Sequence, residues 1–233
     1  MLAVVASLVV VGPSYAATPA VATSELSDDE IAGLLYMREE EKLAHDVYQV
    51  LYKTWNLTIF DNIAASEQRH TDAVKALLDS YGLTDPAAGQ KVGEFSDPEL
   101  QALYDQLVEQ GSQSLEDALL VGTAIEEIDI LDLEKYIAQT ERADILQVYG
   151  YLMSGSENHL QAFVRNVDRQ TGESYQPRYL TPDEYDDIVN AHMENGQGQG
   201  RGQGQGQGHG EGQNQCQEQG KGRWQEQGGG RRG

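Results

Sequence analysis

Between Phe60 and Tyr81, the residues Phe60, Ile63, Glu67, His70, Val74, Leu77 and Tyr81 recur at alternating steps of three and four, the rhythm of one buried helical stripe. Two of them, Glu67 and His70, are ionisable and stand one turn apart where the pattern demands apolar side chains. Such a chain must fold so that a carboxylate and an imidazole enter the core with a partner, because an unpaired buried charge loses several kcal/mol of hydration.

Helix signals surround this stripe. Ser27-x-x-Glu30 is a capping box opening a first long helix that runs to about Lys53. The short "TWNLT" joint folds the second helix, about Thr58 to Tyr81 with Gly82 as its stop, back antiparallel. After the passage "LTDPAAGQKVGEF" comes a minor helix with Asp97 as cap and Pro98 at its first position, ending by Gly111. Ser114-x-x-Asp117 starts the third long helix, and Thr140 is the expected cap of a fourth running from about Glu141 towards Asp168. Thr181-Pro182-x-Glu184 opens a short last helix. No segment shows the sustained alternation of a strand. The expected fold is all-α: two antiparallel hairpins joined by a long crossover, the topology of a ferritin-like four-helix bundle, with short extra helices.

The other long helices repeat the opening anomaly. Glu41 lies on the stripe of Leu34, Met37, Ala44 and Tyr48, while Glu39 and Glu40 fall off it. Glu126 lies at the centre of Leu119, Gly122, Ile130 and Leu133, with Asp129 one turn on, and His159 shares a stripe with Leu152 and Phe163. Carboxylates carried inward on several helices repel one another unless a cation joins them. Arg38 and Lys42 flank the first stripe and Arg69 lies between Glu67 and His70, but none falls at a stripe centre. A bound metal ion is the simplest resolution.

Glu41, Glu67-Gln68-Arg69-His70, Glu126 and His159 resemble the ligand set of the ferritin-like carboxylate proteins, in which two helices each carry a Glu and the other two each carry Glu-x-x-His. Within that superfamily, the run from Glu41 and the acid after Glu126 look like rubrerythrin. The strings "EEEKLAHDVY", "FDNIAASEQRHTDAV", "IEEIDILDL", "SENHLQAFV" and "YQPRYLTPDEYD" look still more like a prokaryotic ferritin-like family labelled a domain of unknown function, over roughly Leu26 to Val189. One departure stands out: Ser156 occupies the place of the acid in the second Glu-x-x-His.

The expected metal set is therefore Glu41, Glu67, His70, Glu126, Asp129 and His159, with His45 a weaker candidate one turn from Glu41. Oxygen-rich ligands with two imidazoles favour iron or manganese, in one or two ions; zinc or copper would also bind, and calcium fits less well. With two irons, the resemblance implies oxidation of Fe(II) by peroxide or oxygen. No Cys-x-x-Cys pair is present, so turnover would need an external electron donor. Tyr48 is read as a core aromatic that could also feed or quench radicals.

Residues 1–16, "MLAVVASLVVVGPSYA", read as a signal peptide, so the protein is expected to be exported, with 17–25 as linker and 26–194 as the bundle. An uncleaved anchor is the competing reading. From 195 the sequence is Gly and Gln with five Lys or Arg against three acids, which reads as a disordered tail carrying the single cysteine, Cys216. The net charge of -22 therefore belongs to the body and argues against nucleic acid as a partner. The rival function is a surface or matrix protein in which the bundle is a scaffold and the tail contacts the cell envelope or sister copies. Assembly into homo-oligomers stays open.

Overall fold

A computed structural model describes residues 25–196, with side chains to 190. The expected signal peptide, all of the expected linker but residue 25, and the expected tail from residue 197 on, with Cys216, lie outside the described residues. Within them the chain forms six helices and no strand: α1 (Asp28–Trp55), α2 (Thr58–Tyr81), α3 (Pro98–Gly111), α4 (Leu115–Ile137), α5 (Ala143–Thr171) and α6 (Pro182–Gly196).

The local signals act as physical chemistry requires. Ser27 and Glu30 close the capping box of α1, and Asp97 and Ser114 accept the first free N–H groups of α3 and α4. The α1–α2 turn is made by Asn56, which takes the left-handed conformation at φ 52°, and Gly82 ends α2 at φ 69°. One boundary differs from expectation. Thr140 does not cap α5; its hydroxyl accepts the Arg142 N–H and donates to Glu30 on α1, so α5 starts at Ala143 with Arg142 at the cap position.

Side-chain partners fix the packing. α1 runs antiparallel to α2 (Tyr48 on Phe60, Glu41 on His70) and to α4 (Tyr48 on Glu126, Tyr36 on Asp132). α5 runs antiparallel to α2 (His159 on Glu67, Asp144 on Tyr81) and to α4 (Ser156 on Asp129). The chain must therefore return from the end of α2 to the opposite end before α4 begins, which residues 82–97 and α3 accomplish. Apolar packing falls into two clusters. One is built on Tyr48, Phe60, Leu119 and Phe163, and the other on Met37, Val74, Leu133 and Leu152.

Glu39 lies off the α1 stripe but is buried, contrary to the simple reading of periodicity, because it accepts the N–H groups of Ser96 and Asp97 and so ties the crossover to α1. Glu127 does the same for the loop after α5: its carboxylate accepts from the backbone of Arg178, Tyr179 and Leu180 and from the Tyr175 hydroxyl. Glu127→Ala would strand these donors and is expected to cost about 3 kcal/mol in denaturant unfolding.

Candidate metal centre

Between the two apolar clusters, each long helix delivers ionisable groups to one level. Glu41, Glu67, His70, Glu126, Asp129 and His159 are all buried. Two triads arise, Glu41–Glu67–His70 and Glu67–Glu126–His159, each with ligand atoms within 4.8 Å of one another. Glu67 belongs to both. Its Oε2 lies 2.8 Å from His70 Nδ1 and its Oε1 2.7 Å from His159 Nδ1. His70 Nδ1 also meets Glu41 Oε2 at 3.2 Å, and His159 Nδ1 stands 3.5 Å from Glu126 Oε2. The two imidazoles stack at 5.5 Å between centroids.

Close approach does not mean saturation. Glu41 Oε1, Glu67 Oε1, Asp129 Oδ1 and His159 Nδ1 are buried without a hydrogen-bond partner. Glu67 Oε1 and His159 Nδ1 thus sit at contact distance yet out of hydrogen-bond alignment, as donor atoms do when they face a common point rather than each other.

The supporting contacts are specific. The Tyr48 hydroxyl donates to Glu126 Oε1 at 2.5 Å, which orients that carboxylate. Ser156 donates to Asp129, so the residue replacing the expected acid on α5 is a hydrogen-bond partner of the acid on α4. Asp129 borders the triads without joining either. His45 is not brought to the centre; it bonds Asp46 and Gln49 in the groove between α1 and α2. The flanking cations are also spent elsewhere: Arg38 on Asp85 and Thr71, Lys42 on Asp46, and Arg69 on Ala65 and Ser66.

Gly155 makes room for His70 at the centre, and the stripe analysis missed it. A Cβ there would lie 2.3 Å from His70 Cε1 and 2.5 Å from Nε2, so only glycine lets the His70 ring reach its place. The available signal was a glycine in mid-helix beside Ser156 with no packing reason on its own stripe.

Electrostatics follow from burial and crowding. Burial opposes charge on both imidazoles, but the carboxylates around them win: Glu41 and Glu67 raise His70 to about 11, and Glu126 and Glu67 raise His159 to about 10. Burial likewise opposes charge on Glu67, yet His159 and His70 hold it down at about 2. Burial, followed by the charge of Asp129, pushes Glu41 well above the usual carboxylate range; burial and Glu126 raise Asp129 to about 7. The metal-free centre is thus one carboxylate between two imidazolium groups, bordered by acids that resist ionisation.

The fold and centre define a class: an all-helical protein with a buried carboxylate–imidazole cluster shared among four helices. Comparison with known proteins makes this particular. Residues 30–192 match the family model described as "Uncharacterized protein domain (DUF2202)", and the chain belongs to that family. It is 49% identical over 174 residues to the "Uncharacterized protein MJ0754" of Methanocaldococcus jannaschii, covering 75% of this chain and 94% of that protein. The crystal structure of hypothetical protein MJ0754 from Methanococcus jannaschii superposes with a TM-score of 0.70, over 73% of this chain and 97% of that one.

Two measurements probe the centre. In metal-free protein, 15N NMR should show both imidazoles still cationic at pH 8; a midpoint near the ordinary 6.5 for either would reject the ion-paired arrangement. Both imidazoles have folded values above the unfolded 6.5 and Glu67 has one below its unfolded 4.5, so the stabilisation from these pairs is greatest between about pH 4.5 and 6.5, declines steadily as pH rises from there, and is gone above 10 to 11. Gly155→Ala should leave helicity intact, since alanine favours a helix by about 1 kcal/mol, but should displace His70 and weaken metal binding by roughly 10- to 100-fold in a titration.

Proposed function

We propose that this protein is a ferritin-like metal protein holding one or two transition-metal ions, iron or manganese favoured and zinc also accommodated, in the centre shared by α1, α2, α4 and α5. The observation that carries this reading is the pair of buried triads around Glu67, whose ligand atoms lie together while several of them lack any hydrogen-bond partner. Antiparallel neighbours on all four sides and the long return before α4 support the ferritin-like assignment.

Glu41, Glu67 and His70 would hold one ion, and Glu67, Glu126 and His159 the other, with Glu67 common to both. When bound, iron or manganese supplies one-electron redox chemistry with oxygen or peroxide as oxidant. Around it this chain's residues have defined work. The apolar clusters on either side exclude water, and Tyr48 fixes one oxygen of Glu126. Ser156 holds one oxygen of Asp129 and leaves the other free to approach an ion or to take a proton. Asp129, raised to about 7, is the group suited to exchange that proton near neutrality. The chain has one cysteine, Cys216, so a reductant must come from outside. Export through the N-terminal segment completes the proposal: an extracytoplasmic protein for metal-dependent redox or metal handling.

Metal at about 100 times its Kd should add about 2.7 kcal/mol of stability, some 5–10 °C in Tm at neutral pH. The gap between loaded and chelated protein should shrink at pH 5. Asp129 has a folded pKa above its unfolded one, so chelated protein gains stability as pH falls from about 7 towards 4, and over that same range protons compete with the ion for its oxygens. Glu67→Ala should abolish the metal-dependent rise, because both triads lose their common ligand. Identical melting of loaded and chelated protein at neutral pH would refute the centre.

A further inference from the structure

The His70 ring needs more than its carboxylates to stay in place. Glu41 Oε2 and Glu67 Oε2 both meet Nδ1, at 3.2 and 2.8 Å. One atom held from two sides does not fix a ring plane, because rotation about the Cβ–Cγ bond of a histidine is soft and roughly two-fold. A half-turn would put Cδ2 where Nδ1 stands. The usual restraint on a metal-binding imidazole is a hydrogen bond from its second nitrogen. His70 Nε2 makes none among the described residues; it lies instead over Gly155, 2.5 Å from where a Cβ would stand.

What surrounds the ring is aromatic. Tyr151, Gly155 and His159 follow one another at steps of four on α5, so they line one face of that helix. The His70 ring, coming from α2, enters the notch that Gly155 leaves between the other two. It meets the Tyr151 ring edge-on, 5.1 Å between centroids at 83°, and lies closer to parallel with His159, at 5.5 Å and 25°. His70 is 1% exposed and Tyr151 46%. Of Val92, Tyr151 and Tyr179, the large apolar side chains left exposed among the described residues, Tyr151 is the one whose ring meets a residue of the centre.

We propose that Tyr151 is a positioning residue of the centre: it is the outer wall of a slot, with Gly155 as floor and His159 as inner wall, that keeps His70 Nδ1 turned towards Glu41 and Glu67. The effect on metal affinity rests on the metal reading above, whereas the slot itself belongs to the metal-free chain. The ring makes the contact, and an edge-to-face pair needs the aromatic quadrupole and not the hydroxyl. Phenylalanine at 151 therefore keeps the wall. Leucine keeps apolar area and loses it, and because the position is nearly half exposed the bundle still folds.

Two readouts on the full-length protein test this. In metal-free protein, 13C relaxation of the His70 Cε1–H bond should report a rigid ring in wild type and Tyr151→Phe and a mobile one in Tyr151→Leu. An equally rigid ring in Tyr151→Leu overturns the slot whether or not metal binds. In a Mn(II) titration, Tyr151→Leu should weaken by about 10-fold the binding step that His70→Ala abolishes, leave any step that survives His70→Ala within about twofold, and be rescued by Tyr151→Phe. Equal weakening of every step, or a loss in Tyr151→Phe as large as in Tyr151→Leu, overturns the positioning role. If His70→Ala abolishes no step, the central metal reading fails, and the relaxation comparison still decides the slot.

Discussion

The Glu67 carboxylate held between the His70 and His159 imidazoles is the interaction on which the level of the four long helices depends. From α2 it reaches α5 directly through His159; through His70 it is coupled to Glu41 on α1, and through His159 to Glu126 on α4, which Tyr48 ties back to α1. The apolar clusters on either side are less particular, because hydrophobic contact is non-directional and tolerates a shift of one helix along another. A charged layer does not. Sliding α5 by one turn would pull His159 off Glu67 and leave a buried carboxylate unpaired, at several kcal/mol.

That layer is not electrically balanced by the protein alone. Glu40, Glu41, Glu67, Glu126 and Asp129 meet only two imidazoles, and every nearby lysine or arginine is engaged outside the centre. Glu67 takes the benefit of both imidazoles and falls to about 2, while Glu41, Glu126 and Asp129 are driven upward by burial and by one another.

Much of this was legible in the sequence, for identifiable reasons. Caps are local chemistry, so Ser27, Asp97 and Ser114 announced their helices; Thr140 misled because its hydroxyl serves the turn and Glu30 instead. That Glu41, Glu67, His70, Glu126 and His159 would be buried together, with Asp129 beside them, was legible because an ionisable side chain interrupts an apolar stripe at a position fixed by helical period. Periodicity failed where burial comes from something other than a neighbouring helix. Glu39 and Glu127 are covered by loops, whose course no period encodes. Gly155 was invisible for the opposite reason: it matters through the atoms it lacks, and an absent Cβ leaves no pattern to count.

Buried acids in this molecule therefore fall into two physical kinds, separated by hydrogen-bond saturation and not by burial. Glu39, Glu127 and Asp46 each collect backbone N–H groups or cationic side chains and hold a loop to a helix; their oxygens are satisfied, and the fold accounts for them completely. Glu40, Glu41, Glu67 and Asp129 each retain at least one buried oxygen with no donor, and all four lie together between the apolar clusters or at the edge of that layer. A lone unsatisfied carboxylate is an accident that mutation can remove at a gain in stability. Four sharing one layer across three helices, with Glu67 flanked by two imidazoles and the others kept from ionising by burial, leave buried oxygens free in one place, and that is the observation on which the metal reading proposed above rests.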